Sequence, residues 1–291
     1  MDIKVGDVVG RKSYGMDIYF KVIEIAAEGG GNQMARLNGL DMRLCANAPL
    51  ADLVKIEPGK LADYWRMTMS KNHEAMRRVF TRRQQDRERT LMRSVPSTNP
   101  GELDSFDVPG RVLHIDGDGE YLDLCMTTYR QLQIPAEGLN IPENQQAQKV
   151  YDLLSEHRPD LLVLTGHDGF TKGTKDFSNI NNYYNSGHFV AAVREARRYE
   201  KSRDDLVIFA GACQSHYESL LEAGANFASS PQRVLIHAFD PVFVIEKIAY
   251  TSIYDPISLQ DIIAGTITGF DGIGGMETRG KYRMGVPRSP Y

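Results

Sequence analysis

Two short apolar runs dominate the hydrophobic pattern of this chain: Leu161-Leu162-Val163-Leu164-Thr165-Gly166-His167 and Val207-Ile208-Phe209-Ala210-Gly211-Ala212-Cys213. Each closes on small residues and then on one reactive side chain. Unbroken apolar runs of this length, bounded by polar residues, read as strands buried on both faces of a parallel sheet. The segments around them alternate in type. Residues 111–116 predict a strand, 119–131 a helix and 134–141 a second strand. Residues 144–157 predict a helix with Val150, Leu153 and Leu154 on one face. Residues 186–201 predict another, with Phe189, Val190, Val193 and Ala196 aligned. A short helix over 215–223 and a strand over 234–239 follow. This alternation predicts an α/β domain over 107–291, a mostly parallel sheet sandwiched by helices.

The N-terminal part has a different pattern. Val5-Gly6-Asp7-Val8-Val9 precedes Ile18-Tyr19-Phe20-Lys21-Val22-Ile23-Glu24-Ile25, a half-buried strand by its alternation. Gly29-Gly30-Gly31-Asn32 is a hairpin-loop signal, and 34–37 and 42–45 continue as short strands about a turn at Asn38-Gly39. Short strands with regular turns predict a small SH3-like β-barrel over 1–57, a module suited to docking. Residues 60–93 hold neither Pro nor Gly, and Leu61, Trp65, Met69, Asn72, Met76 and Phe80 fall at helical spacing. Val95-Pro96-Ser97-Thr98-Asn99-Pro100-Gly101 has a linker's composition. The predicted order is therefore the barrel over 1–57, a basic helical linker over 58–106, and the α/β domain over 107–291.

Composition narrows the class. The chain is 42% hydrophobic and 25% charged, ordinary for a globular protein with a sizeable core. The net charge of −4 argues against a nucleic-acid binder as a whole. The positive charge is local: 60–93 carries ten Lys and Arg against four Asp and Glu. That segment reads as a solvated helix, or as a basic face for acidic partners. Three cysteines, Cys45, Cys125 and Cys213, with no CxxC pair, predict a reducing compartment and no structural zinc. No metal ligand set and no cofactor motif is evident: Gly272-Ile273-Gly274-Gly275 lacks the Lys-Ser/Thr of a phosphate loop and reads as a glycine-rich loop. Neither a signal core nor a long apolar span is present, so the expectation is a soluble intracellular protein with no membrane partner.

Neighbouring parallel strands deliver their last residues to one edge of a sheet, where open α/β sheets place their sites. A thiol and an imidazole at those ends are the parts of a cysteine nucleophile and its general base. Cys213 is the nucleophile of this pair and His167 the base. A helix starting at Ser215 would favour the thiolate. The backbone N–H groups of Cys213, Asp168 and Gly169 are the expected oxyanion donors. The remaining candidates read as structural: His114 and His237 within strands, His188 on an apolar helix face, His216 at a helix start, and Cys45 and Cys125 as inert thiols.

A hydrophobic block ending in His, then one ending in a small residue plus Cys, resembles the caspase-like cysteine peptidases, among them legumain, gingipain, clostripain, separase and metacaspases. His167-Asp168-Gly169 departs from the His-Gly that many of them carry. A closer resemblance is to the sporulation-specific YabG peptidases. It rests on Val5-Gly6-Asp7-Val8-Val9-Gly10-Arg11-Lys12-Ser13-Tyr14, Leu113-His114-Ile115-Asp116-Gly117-Asp118, Thr165-Gly166-His167-Asp168 and Phe209-Ala210-Gly211-Ala212-Cys213-Gln214-Ser215-His216. Ala223-Gly224-Ala225-Asn226-Phe227-Ala228-Ser229-Ser230-Pro231, His237-Ala238-Phe239-Asp240-Pro241 and Gly274-Gly275-Met276-Glu277-Thr278-Arg279-Gly280 extend it.

The resemblance implies a cysteine endopeptidase with a caspase-like core. It implies spore coat and germination-related proteins as substrates, cleavage after Arg, and a place in the mother cell or forespore, with association to the spore coat. An arginine preference needs a carboxylate in the pocket that receives it. Asp116 and Asp118, past the first strand, are the leading candidates, and Asp240 is another. Arg77-Arg78 and Arg82-Arg83 then become self-cleavage points. Two other classes are weighed. A class I amidotransferase would take its His, with a Glu, from well downstream of Cys213, where only His237 stands. A non-catalytic coat-assembly protein would use the barrel and basic helix for docking and leave Cys213 as core. Tyrosine-phosphatase chemistry fails, because Ser219 stands where its Arg would be.

Overall fold

The computed structural model describes residues 2–27, 33–94, 106–171 and 173–285. The expected hairpin loop at 29–32 and linker at 95–101 lie outside them. The chain divides into two units, Met1–Ala75 and Met76–Tyr291.

In the first unit, alternation along the chain produces a five-stranded antiparallel sheet. Its strands are β1 (Val8–Arg11), β2 (Tyr19–Ala27), β3 (Gln33–Gly39), β4 (Cys45–Pro49) and β5 (Leu53–Lys55), in the order β4-β3-β2-β1-β5. Val9, Phe20, Val22, Ala35, Leu37, Ala48 and Leu53 form its core. The turn expected at Asn38-Gly39 is not there. Asn38 is paired on both sides, with Lys21 and with Cys45, so β3 runs through it and the chain reverses over 40–44. Of the strand expected over 42–45, only Cys45 is in the ladder.

The Pro- and Gly-free basic stretch is one helix, α1 (Pro58–Ser94), and the division between the units falls within it. In the second unit, Val79 is buried with the core of that unit and Met76 packs against it.

The second unit contains β6 (Phe106–Val108), β7 (Val112–Asp116), α2 (Gly119–Gln131), β8 (Ala136–Asn140), α3 (Glu143–His157), β9 (Leu161–Thr165), α4 (Ser186–Tyr199), β10 (Val207–Ala210), α5 (Tyr217–Ala223) and β11 (Phe227–Ser229). It closes with α6 (Asp240–Ala249), β12 (Pro256–Ile257), α7 (Leu259–Ile263), β13 (Ile273–Gly275), β14 (Thr278–Arg279) and β15 (Arg283–Gly285). Six strands form one sheet in the order β13-β11-β10-β9-β7-β8, parallel except for β13. The chain is thus mixed α/β. Odd and even residues of the two central runs serve different layers. Leu162, Leu164, Ile208 and Ala210 share a core with Val150, Leu154, Phe189 and Val193. Leu161, Val163, Val207 and Phe209 share one with Tyr129, Val244 and Ile248. Each large apolar side chain buried in this way contributes about 1.5–3 kcal/mol.

Three expectations are corrected. Residues 234–239 form no strand, although Ile236, His237 and Ala238 are buried; they lead as an irregular segment into α6. The place beside β11 is taken by β13, where Ser229 faces Ile273, so the glycine-rich segment is an edge strand and not a loop. His188 is exposed, because it lies one position off the stripe of Phe189, Val190, Val193 and Ala196 that α4 buries. Among the described residues no helix is long and apolar enough to cross a membrane.

Candidate active site

The register of the sheet sets the site. Leu164 pairs with Ala210, and Thr165 pairs with Asp116. The Gly211 N–H donates to the Leu164 carbonyl at 3.0 Å, and the Gly117 N–H to the Thr165 carbonyl at 3.0 Å. Three chain segments therefore leave the sheet side by side at one edge, carrying Asp118, His167 and Cys213.

His167 is held from two directions. Its Nε2 lies 2.7 Å from Asp118 Oδ2, with a fifth of the histidine side chain and 11% of the aspartate side chain exposed. Asp118 is also the N-cap of α2: its Oδ1 accepts from the Glu120 and Tyr121 N–H groups at 2.8 and 3.1 Å. The ring of Tyr121 stands edge-on to the imidazole, 5.7 Å between centroids. Burial alone would raise the Asp118 carboxyl. The hydrogen bond and charge of His167 and the Tyr121 N–H outweigh it and hold the group below the usual carboxylate range. The backbone of His167 is fixed by Glu143, the first residue of α3, whose Oε1 accepts its N–H at 2.7 Å. The Glu143 side chain fills the space that a Cβ would need at Gly117 and at Gly166.

Cys213 lies inside a tight turn over 212–215 and is 1% exposed. Gly211 has φ +106°, and a Cβ there would meet Ser229 Oγ at 2.5 Å and Leu220 Cδ1 at 2.8 Å. Gln214, the next residue after the thiol, is also left-handed at φ +57°, a strained conformation for a non-glycine residue. Its N–H donates to Ser230 Oγ at 3.0 Å and to the Val234 carbonyl at 3.1 Å. The helix expected from Ser215 starts later, at Tyr217, with His216 as its N-cap accepting the Ser219 N–H. The thiol has a nearer donor. The Ile236 N–H points at Sγ from 3.2 Å, a bond that strengthens when the sulfur is a thiolate.

The other expected site residues are placed as follows. Asp116 is fully buried. Its Oδ1 accepts from the Asp118 N–H at 2.9 Å and its Oδ2 from Thr165 Oγ1 at 2.8 Å, with His114 Nε2 at 3.4 Å. Asp240 is fully buried at the start of α6, where it accepts from the His237, Ile267 and Thr268 N–H groups and from Thr268 Oγ1. The Gly169 N–H donates to Asp168 Oδ1 at 2.8 Å, so it is engaged within its own loop. Sequence reasoning overlooked Glu143 and Ile236, and it named Asp118 only as a pocket carboxylate. The one available signal was the pair Gly117 and Gly166, where side chains are missing at two adjacent strand ends. Within the second unit, no three described His, Cys, Asp or Glu side chains converge at metal-binding distances.

Residues 4–287 match the family model described as YabG peptidase U57. The sporulation-specific protease YabG of Bacillus subtilis (strain 168) is 40% identical to this chain over 299 residues, which is 99% of each protein.

Proposed function

Because the chain belongs to the YabG peptidase family, we propose that this peptidase is a sporulation-specific cysteine endopeptidase with Cys213 as nucleophile and His167 as general base. The observation that carries the reading is the register of β9 and β10, which sends the thiol and the imidazole out of the same edge of the sheet from equivalent positions. Asp118 accepts the Nε2–H of His167, which leaves Nδ1 as the basic nitrogen and orients the ring.

In this mechanism His167 takes the Sγ proton and the thiolate attacks the carbonyl carbon of the scissile bond. The C–N bond then breaks, and the imidazolium returns the proton to the leaving amine. Water, deprotonated by His167, attacks the thioester; the C–S bond breaks and the carboxylic acid leaves. The Ile236 N–H stabilises the sulfur in its anionic form. The Cys213 and Asp168 N–H groups are the proposed oxyanion donors, with Gly169 holding the shape of its loop.

Cleavage after Arg, in spore coat and germination-related proteins of the mother cell or forespore, is part of the same proposal. Asp118 and the partly exposed Glu143 stand at the edge where an arginine side chain would arrive; Asp116 ends β7 at the same edge but is fully buried, with both carboxylate oxygens engaged. Asp240 is spent on its own four donors. The caspase-like core and the SH3-like barrel belong to this reading as well, supported by the parallel six-stranded sheet and the five-stranded antiparallel one.

The deciding experiment compares the wild type with Cys213→Ala and His167→Ala on an Arg-containing coat-protein substrate. Both variants are expected to be inactive. Undiminished proteolysis by either would sink the mechanism. Asp116→Ala, Asp118→Ala and Glu143→Ala, assayed on paired Arg and Lys peptides, separate the carboxylate that selects arginine from those that do not.

A further inference from the structure

We infer that Asp168 is a positioning residue, whose carboxylate clamps the loop carrying His167 to the turn carrying Cys213. The inference rests on the assignment of these two residues as base and nucleophile. Asp168 follows His167 directly, yet its side chain turns inward. Oδ2 accepts from Ser215 Oγ at 2.8 Å and from Ser186 Oγ. Oδ1 accepts from the Asn185 and Gly169 N–H groups, each at 2.8 Å. Both serines are fully buried and Asp168 is partly buried, and that burial pushes its carboxyl above its usual range despite the four donors.

The two serines extend the clamp to the backbone on either side of the thiol. Ser215 Oγ accepts the Ala212 N–H at 2.9 Å, and Ser186 Oγ accepts the His216 N–H at 2.8 Å. Asn185 Nδ2 closes the other side by donating to the His167 carbonyl at 2.9 Å. Residues 212 and 216 bracket Cys213, so one carboxylate fixes the nucleophile turn and the base loop together, through the N-terminus of α4.

The chemistry requires a carboxylate. A serine hydroxyl has one proton to give. Each serine oxygen accepts from a backbone N–H, and its own proton goes to Asp168, because an ionised carboxylate can only accept. All four groups facing Asp168 are then donors, and only a group with two acceptor oxygens satisfies them. An asparagine would turn an NH2 toward one of these donors and break an arm of the clamp. Misplacement of reacting groups by about 1 Å can cost on the order of a hundredfold in rate, with little effect on binding.

The test measures kcat, KM and thermal midpoint for the full-length wild type, Asp168→Asn, Ser215→Ala and the double variant, using an Arg-containing peptide. Each single variant is expected to lower kcat about tenfold to a hundredfold, with KM within about twofold of the wild type. The double variant is expected to be no worse than Asp168→Asn alone, because the two residues act as one device. Folded single variants with wild-type kcat would overturn the inference, as would losses that multiply in the double variant. If Asp168→Asn fails to fold, Ser215→Ala and Ser186→Ala decide by the same measure, and unchanged kcat in both overturns the clamp. Cys213→Ala run alongside separates the two levels. Activity retained there removes the nucleophile assignment itself. An inactive Cys213→Ala beside a fully active Ser215→Ala removes only the clamp.

Discussion

Asp118 Oδ2 meets His167 Nε2 at 2.7 Å while Asp118 Oδ1 caps the helix that starts beside it. One carboxylate thus joins the end of β7, the start of α2 and the imidazole. The cap fixes the direction of the carboxylate, and the carboxylate fixes the ring.

Asp118→Asn should therefore lower kcat by about a hundredfold or more, within the range for a misdirected general base. Its amide can present N–H to Nε2 and select the wrong tautomer. The sign of the pH effect on stability follows from the lowered carboxyl. A carboxyl depressed on folding contributes stability above its ordinary value of about 3.9, and that contribution is lost as the pH falls through the depressed value. The gap in thermal midpoint between wild type and Asp118→Asn should be full at pH 6 and shrink below about pH 4. A gap that grows on acidification would contradict the assignment.

Glu143 gives a second prediction, because it acts on the backbone of His167 and not on the ring. A glutamine can still accept the His167 N–H, whereas an alanine leaves it without that acceptor. Glu143→Ala should reduce kcat about tenfold or more, and Glu143→Gln by much less. Gly166→Ala should resemble Glu143→Ala, since its Cβ would collide with the same side chain. Equal losses for Ala and Gln at 143 would show that the negative charge is what matters there, as arginine selection requires.

The two strands that carry the site were legible because their apolar runs are buried on both faces, and that pattern survives in sequence without interruption. The helices between them were legible from their stripes. What was lost has physical reasons. The run over 234–239 is apolar where Ile236 joins the core lined by α6, and burial alone does not distinguish a strand from an irregular buried turn. β13 is only Ile273–Gly275, so its glycines concealed an edge strand. Asp118 was visible at a strand end, but only the cap shows which way its carboxylate faces. The bond from Glu143 to His167 joins residues far apart in sequence, and no local pattern announces it.

Arg197 offers a test of the scaffold alone. Its guanidinium donates to the carbonyls of Gly224, Glu200, Ser202 and Leu206 and to Asn226 Oδ1, which also accepts the Ile208 N–H. Burial pulls its pKa down to about 10. A lysine cannot reproduce that fan of donors. Arg197→Lys should cost about 2–4 kcal/mol of stability, since several buried acceptors lose their partner. Denaturant unfolding checks it, and a loss under about 0.5 kcal/mol would mean that water replaces the guanidinium.

Glu246 bears on whether the self-cleavage expected at Arg82-Arg83 can occur. Its side chain is 1% exposed, and it receives Arg82 at 2.5 Å and Arg83 at 2.7 Å. Arg83 also donates to the Leu132 carbonyl at 2.6 Å and lies 3.3 Å above the centre of the Tyr250 ring. Both arginines are therefore helical and pinned, whereas a peptidase needs the backbone at the cleaved bond extended in its site. Removing one partner of a buried pair costs about 3–5 kcal/mol, because the remaining charge is left uncompensated. In Glu246→Ala that cost falls on this part of α1, so the segment should open before the rest of the unit. Trypsin, which needs an extended arginine at the cleaved bond, should cut the variant first after Arg82 or Arg83 and the wild type more slowly there. Intact mass after timed digestion reads the difference. Equal rates at these bonds would show that the ion pairs do not guard the helix, and that any self-cleavage there is controlled elsewhere.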